Sequence, residues 1–389
     1  MEKIFAVSSP GLEPFTEQEL QYHNLLSYSS TDRIPRTIGG IEFTGDVKAI
    51  YLANLHLRTA SRVLLRLGEF HAESFSELTK HTRRLPWESF LIPGQRIAVR
   101  VTCHKSRLYH SGAVGREVIS AINARLGKPV QQCLLGEDPS GDVPQLVVVR
   151  LENDECILSI DTSGALLHRR GYRLASAKAP LRETLAAGLL FASGWDFQSP
   201  LLDPFCGSGT IAIEAALIAR RIAPGISRKF AFMDWPSYQP ELWNAIKEAH
   251  RDAFGSKQDD LGCVAPIVAS DRDAGAIHLA KENAERAGVA ECIEFSQRAV
   301  SAIEPGDIGW FVTNPPYGIR INTHKDIRNL YAQIGNVIRR KCPGWQIAIL
   351  CNELSLLHQM KIPLDTSIAL INGGISVYVG RSKIPLPGD

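Results

Sequence analysis

Leu201-Leu202-Asp203-Pro204-Phe205-Cys206-Gly207-Ser208-Gly209-Thr210 is the stretch from which the fold of this 389-residue chain is read. An apolar run ends on an acid, two glycines follow, and a helical pattern starts at Thr210 and continues to Arg221. A strand that turns through glycines into a helix belongs to an open α/β sheet, which binds ligands at the carboxyl ends of its strands. Glycine lets the backbone approach such a ligand closely. Two competing nucleotide loops are excluded. A dinucleotide fingerprint needs a third glycine where Ala212 stands, and no Gly-Lys-Ser/Thr triplet for a phosphate loop occurs anywhere in the chain. Asp203 decides between the remaining ligands. A carboxylate at the strand tip repels a pyrophosphate and favours an ammonium group, so the expected ligand is cationic and unphosphorylated. S-adenosylmethionine fits, with Asp203, Phe205, Gly207, Gly209 and Thr210 around it. The alternative is a tight turn whose acid caps the helix.

Outward from this loop the chain alternates strictly. Helix (Leu181 to Ser193) and strand (Pro200 to Phe205) precede the helix from Thr210, and strand (Pro266 to Asp271) and helix (Ala274 to Arg286) follow it. Strands at Cys292 to Gln297 and Trp310 to Asn314, a helix at Ile327 to Arg339 and a strand at Gln346 to Cys351 continue the pattern. Apolar strands separated by helices imply a parallel sheet covered on both faces. At the end Asn372-Gly373-Gly374 divides two strand-like runs, a hairpin signal that makes the last strand antiparallel. The second strand tip, Ala269-Ser270-Asp271-Arg272-Asp273, offers Asp271 for the ribose hydroxyls, while Asp273 reads as a helix N-cap. Arg182, Glu183 and Thr184 either line the methionine end of the cofactor or join a basic linker to a capped helix. Phe230, Phe232, Trp235, Tyr238 and Trp243 lie in a long insertion and read as a local packing cluster rather than as stacking platforms for bases.

Val312-Thr313-Asn314-Pro315-Pro316-Tyr317-Gly318 closes the fourth strand of this sheet. Two prolines and a glycine make a rigid turn. An exocyclic amine on a base is a poor nucleophile, because its lone pair is delocalised into the ring. An asparagine oxygen and a backbone carbonyl can accept its two hydrogens and turn the lone pair toward a methyl donor, and transfer then depends mainly on alignment. Tyr317 would stack on an extruded base. Asn314, Pro315, Pro316 and Tyr317 are therefore the candidate catalytic residues.

The first 165 residues form a different, α+β pattern, with strand-like runs at Ile4 to Val7, Ile97 to Cys103, Leu146 to Leu151 and Cys156 to Ile160 and helical stretches at Val47 to Leu55 and Gly115 to Arg125. A boundary is expected near residue 166, in a basic linker running through Pro180. Lys80 to Lys128 holds ten Lys/Arg against two acids, and His168 to Arg182 five Lys/Arg and no acid. Such runs are either a solvated surface or a footprint for a phosphate backbone, and two of them flanking one junction favour the second. The candidates for RNA contact are Lys80, Arg83, Arg84, Lys105, Arg107, Arg169 and Arg170. No run of 18 apolar residues, no secretory leader and no CxxC pair occurs. We expect a cytoplasmic protein with reduced, mostly buried cysteines, no membrane partner and no metal.

These motifs, with Asp161 to Arg173, Ala179 to Ala187 and the segment from Phe230 to Trp235, resemble the bacterial THUMP-domain RNA methyltransferases over nearly the whole chain. The resemblance implies a Rossmann-like class I methyltransferase domain at residues 166–389 with a seven-stranded mixed sheet and a C-terminal hairpin. It places an N-terminal ferredoxin-like segment at 1–45 and a THUMP RNA-binding domain at 46–165. It also implies transfer of a methyl group to the exocyclic N2 of a guanine, in 23S rRNA or alternatively in tRNA. DNA adenine-N6 methylation and a non-catalytic RNA-binding role are the other readings. Within the family the chain resembles the form with a single methyltransferase domain. It departs in one respect: many relatives carry an acid after the third strand, beside the cofactor's adenine, whereas Phe295-Ser296-Gln297-Arg298 has none. Backbone groups or Gln297 are expected to serve instead.

Overall fold

Two sheets carry the chain in the computed structural model, which describes residues 1–26, 36–37, 39–133, 143–173, 181–254, 266–317 and 324–386. The end of the expected linker, residues 174–180, lies outside these, as does Gly318 of the reaction-centre motif. The N-terminal sheet holds β1 (Glu2–Ser8), β2 (Arg36–Thr37), β3 (Gly40–Gly45), β4 (Ala60–His71), β5 (Arg96–His104), β6 (Gln131–Gln132), β7 (Gln145–Glu152) and β8 (Glu155–Asp161), in the order β2-β3-β1-β4-β8-β7-β5-β6. Helices α1 (Glu13–Tyr22), α2 (Val47–His56), α3 (Phe75–Arg84) and α4 (Ser111–Leu126) accompany it. This is the expected α+β half.

Its longest strand, β4, escaped the sequence pattern because Arg62 and Arg66 break an otherwise apolar run. Both are neutralised inside the sheet: Arg62 pairs with the buried Asp161, and Arg66 pairs with Glu42 while lying 4.6 Å from the centre of the Phe5 ring. β4 pairs antiparallel with β1 on one side and β8 on the other. It therefore joins the first and last parts of this half into one sheet.

The second half follows the expected alternation. Its strands are β9 (Leu201–Asp203), β10 (Ile267–Asp271), β11 (Ile293–Gln297), β12 (Trp310–Thr313), β13 (Gln346–Cys351), β14 (Asp365–Asn372) and β15 (Ile375–Lys383), ordered β11-β10-β9-β12-β13-β15-β14. The helices are α5 (Glu183–Ser193), α6 (Thr210–Ala219), α7 (Pro240–Phe254), α8 (Ala274–Arg286), α9 (His324–Lys341) and α10 (Leu354–Gln359). Neighbours from β11 to β13 run parallel and β15 runs antiparallel to both β13 and β14. Asn372 pairs with Ile375 across the hairpin, and Gly373 and Gly374 take φ of 57° and 88°, a left-handed pair that side chains with a Cβ resist.

The aromatic insertion corrects one expectation. Its rings are buried, as expected of a packing cluster, but the cluster is not local. Phe230, Phe232, Trp235 and Trp243 share one core with the N-terminal half. Tyr51 of α2 stacks on Phe232 at 4.4 Å and meets Trp243 edge-on at 5.9 Å. Hydrogen bonds follow the same seam: Trp235 Nε1 donates to Gln145 Oε1 at 2.8 Å and the Gln239 amide to the Tyr51 hydroxyl at 3.0 Å.

A buried ionic network runs beside the rings. Glu19 of α1 accepts from the Arg58 amide at 2.7 Å and the Thr59 amide at 2.9 Å. The Arg58 guanidinium crosses to the second half, donating to the Ile222 carbonyl at 2.5 Å and facing Glu214 of α6 at 3.7 Å. Arg170 reaches the same Glu214 at 3.5 Å and donates to the carbonyls of Leu167 and Arg58, both at 2.6 Å. Arg170 is 6% exposed. It is therefore an interior cation that neutralises Glu214, not an RNA contact, and that expectation is corrected.

Three histidines also meet at this seam, although they are far apart in sequence. His23 stacks on His56 at 4.2 Å, and His56 lies 5.2 Å from His250 of α7. Among the described residues, Cys103, Cys133, Cys156, Cys206, Cys342 and Cys351 are free thiols. No helix among them is long and apolar enough to cross a membrane.

Candidate active site

The order of the second sheet places its switch point at β9, flanked by β10 on one side and β12 on the other. The first two strand tips carry Asp203 and Asp271, and β12 leads into Asn314. Ligands of open α/β sheets bind in this crevice.

The loop from β9 to α6 is braced by three hydrogen bonds, two to the end of β10 and one from α8. The Gly207 amide donates to Asp271 Oδ2 at 3.0 Å, the Cys206 amide to the Ser270 carbonyl at 3.0 Å, and Asn283 of α8 donates to the Ser208 carbonyl at 3.0 Å. Gly209 (φ 83°) packs against α8, where a Cβ would come within 3.0 Å of that of Ala280. Gly207 (φ 53°) faces open space instead, with no atom within 4 Å of the place a Cβ would take. One glycine serves packing and the other leaves room for a ligand.

Asp203 is fully buried. Its Oδ1 accepts from the Thr313 hydroxyl at 2.6 Å and the Phe205 amide at 3.2 Å, while Oδ2 has no hydrogen-bond partner. Burial pushes this carboxyl up to about 7, opposed first by the Thr313 hydrogen bond. An unpaired buried carboxylate oxygen calls for a donor, preferably cationic. The ammonium of S-adenosylmethionine meets that need, and the residues present fit this cofactor.

Asp271 is half-buried, and its oxygens hold the Gly207 and Asp273 amides, each at 3.0 Å. It braces the loop whatever else it binds. Asp273 caps α8 through the Gly275 amide at 2.8 Å, as expected. Gln297 stands in register with Asp271 on the neighbouring strand, exposed, with its amide donating to the Arg272 carbonyl at 3.2 Å.

The start of α5 is split. Arg182 is exposed, while Glu183 and Thr184 are buried. Glu183 pairs with Arg173 at 3.3 Å, and the same guanidinium donates to the Thr210 hydroxyl at 2.5 Å. Thr210 is thus engaged by protein. Arg173 was missed by sequence reasoning, which saw it only as one more cation in a basic run.

Asn314 stands half-buried with its side-chain oxygen buried and unpaired. Pro315 is buried and Pro316 half-buried; Tyr317 is half-buried too, with its hydroxyl accepting from Asn372 Nδ2 at 3.3 Å. Asn372, which the sequence marks only as a turn residue, therefore orients the tyrosine from the hairpin tip. The arrangement supplies an acceptor for an amine hydrogen immediately after the strand that contacts Asp203. Among the described residues no group of three His, Cys, Asp or Glu side chains could hold a metal.

Away from this crevice, α3 and α4 bound an open groove of about 600 Å³ lined by Phe75, Ser76, Thr79, Lys80, Arg83, Arg84, Glu117 and Arg125. Lys80, Arg83 and Arg84 are exposed, whereas Arg125 is paired with Glu88 at 2.6 Å. Lys105 and Arg169 are exposed too; Arg107 is exposed but paired with Glu73. The structure thus gathers three of the seven expected RNA contacts in one groove.

Known proteins share this plan. A family described as "RMKL-like, methyltransferase domain" matches residues 170–377, "RlmL ferredoxin-like domain" matches 3–64, and "THUMP domain" matches 72–161. The chain is 34% identical over 388 residues to a ribosomal RNA large subunit methyltransferase K/L of Syntrophotalea carbinolica, covering 96% of this chain and 52% of that protein. It spans about half the length of the curated relatives that carry this name. Among solved structures, a protein of Listeria monocytogenes named as a predicted N6-adenine-specific DNA methylase superposes with TM-score 0.83 at 32% identity, covering 99% of this chain and 96% of that one. A putative methyltransferase complexed with SAH, SMU.472, gives TM-score 0.83 at 26% identity, covering 100% and 99%.

Proposed function

Because the chain belongs to the RMKL-like methyltransferase family, we propose that it methylates the exocyclic N2 amine of a guanine in the 23S RNA of the large ribosomal subunit, in the cytoplasm. S-adenosylmethionine supplies the methyl group when bound. The observation that carries the reading is a pair of buried, unpaired side-chain oxygens, Asp203 Oδ2 and Asn314 Oδ1, on strands joined by the Thr313 hydrogen bond. The first takes the cofactor's ammonium. The second accepts a hydrogen of the target amine and turns its lone pair toward the donor, so that the protein contributes alignment rather than acid or base chemistry. Tyr317, held by Asn372, stacks on the extruded base. Asp271 and Gln297 line the ribose and adenine end.

Lys80, Arg83 and Arg84 in the α3–α4 groove, with Lys105, Arg107 and Arg169, hold the RNA backbone. Cations not tied to a carboxylate are the ones ready to neutralise phosphate, so the groove carries more of this binding than the paired Arg107. The guanine and the ribosomal target rest on the family and on the name of the relatives. The test is to incubate the protein with labelled cofactor and separate ribosomal and transfer RNA pools, then analyse the nucleosides. N2-methylguanosine confined to ribosomal RNA is expected. Label only in transfer RNA would overturn the ribosomal assignment, and N6-methyladenosine would overturn the guanine.

A further inference from the structure

Thr313 immediately precedes the reaction centre, but its side chain looks the other way. It is fully buried, it sits at the end of β12, and its hydroxyl donates at 2.6 Å to Asp203 on the adjacent strand β9. β9 and β12 pair in parallel through Leu201–Trp310 and Leu202–Phe311, and this contact lies just beyond that ladder, one residue out of its register, at the mouth of the crevice. Among the described residues, backbone groups supply only one further hydrogen bond to Asp203, from the Phe205 amide, and it falls on the same oxygen. The carboxylate is thereby held by one oxygen only. Its other oxygen is left unpaired.

We propose that Thr313 is a positioning residue for the cofactor: its hydroxyl fixes the rotamer of Asp203 so that Oδ2 remains open to the cofactor's ammonium. The inference rests on reading the Asp203 crevice as the cofactor site. It adds that a side chain on the substrate-bearing strand, touching no ligand itself, sets how well that site receives its cation. The electrostatics agree with the geometry. Asp203 is faced by Asp271 from β10, which repels its charge, and by the Cys206 thiol from the loop, and among the described residues no cation is placed against it. The Thr313 donor is the largest influence that keeps the carboxyl charged against burial. Without that donor the acid protonates at higher pH and turns more freely in its pocket.

Calorimetric titration of the full chain with S-adenosylhomocysteine, from pH 6 to 9, tests this without any turnover. In the wild type, affinity should weaken as pH falls through the region near 7, to which burial raises the Asp203 carboxyl. Thr313→Val keeps the shape and removes the donor. It should bind roughly tenfold more weakly at neutral pH, the worth of one hydrogen bond to a charged group, and its weakening on acidification should begin at higher pH. Thr313→Ser restores the hydroxyl and should bind like the wild type. On an Asp203→Asn background, Thr313→Val should cost nothing further, because the partner it orients is gone.

Thermal melts of each variant accompany the titrations, so that loss of fold is not read as loss of binding. Thr313→Val with wild-type affinity and an unmoved pH profile overturns the proposal. So does Thr313→Ser binding as weakly as Thr313→Val, which would assign the effect to packing of the methyl group. Failure of the wild type itself to bind S-adenosylhomocysteine is a different outcome: it removes the cofactor reading on which the inference stands.

Discussion

Asn314 and Arg170 show what a residue's identity can and cannot convey. An asparagine between a strand and two prolines suits the proposed acceptor role, and the structure leaves its oxygen buried without a partner. Asn314→Ala should lower kcat by about 10²- to 10³-fold, as removal of one aligned polar group commonly does, while S-adenosylhomocysteine binds as before. Measured side by side, retained turnover would remove Asn314 from the reaction centre. The places of Asp203 and Asp271 at strand tips, and of Asn314 just after one, were legible because an apolar run that stops at a polar residue is a local pattern. Arg170, Arg173 and Thr210 were not. A basic run looks the same whether its cations face water or a buried acid, and only the fold shows that Arg170 and Arg173 answer Glu214 and Glu183.

At the scale of elements, periodicity located α8 and β13 to the residue and the glycine pair located the hairpin, because each has a strong local cause. β4 was lost because its arginines disguise a buried strand. The aromatic insertion was seen as a cluster, but its partners on α2 and β7 were invisible, since contacts between distant segments leave no mark on local pattern. Trp243 is 3% exposed and touches Tyr51, Phe230 and Phe232. Trp243→Ala should therefore destabilise the chain by about 3–5 kcal/mol, seen as a lower denaturant midpoint.

The three histidines at the same seam give it a pH dependence. Burial, then Arg58, lowers His23 to about 4; burial, then His23, lowers His56 further still. The folded chain keeps them neutral, whereas the unfolded chain protonates them near pH 6.5. Their contribution is complete above about that pH and is lost progressively as pH falls toward the folded values. Thermal midpoints compared between pH 7 and pH 5 should fall less in His56→Gln than in the wild type. Equal falls would place the acid sensitivity elsewhere.

For the whole molecule, the proposed function requires two separated surfaces to act on one RNA. If the α3–α4 groove holds phosphates, replacing Lys80, Arg83 and Arg84 with glutamine should weaken RNA binding. It should also flatten the dependence of log affinity on log salt by roughly 0.7 to 0.9 for each phosphate that is no longer neutralised. S-adenosylhomocysteine affinity should stay at the wild-type value, since these side chains lie in the groove and not in the crevice. An unchanged salt slope, read by filter binding across a salt series, would move the RNA-holding face away from α3 and α4.

The rings and ions between the halves bear on this directly. Phe230, Phe232, Trp235, Trp243, Arg58 and Arg170 would all have to leave their partners before the groove could swing relative to the strand tips. If the chain holds and methylates RNA as proposed, the two halves joined in this way act as a caliper. Such a tool measures the span between the segment it grips and the base it modifies. On the proposed function, RNA would then be chosen by the distance and angle at which its folded form presents an amine, and a sequence of the right letters in the wrong shape would go unread.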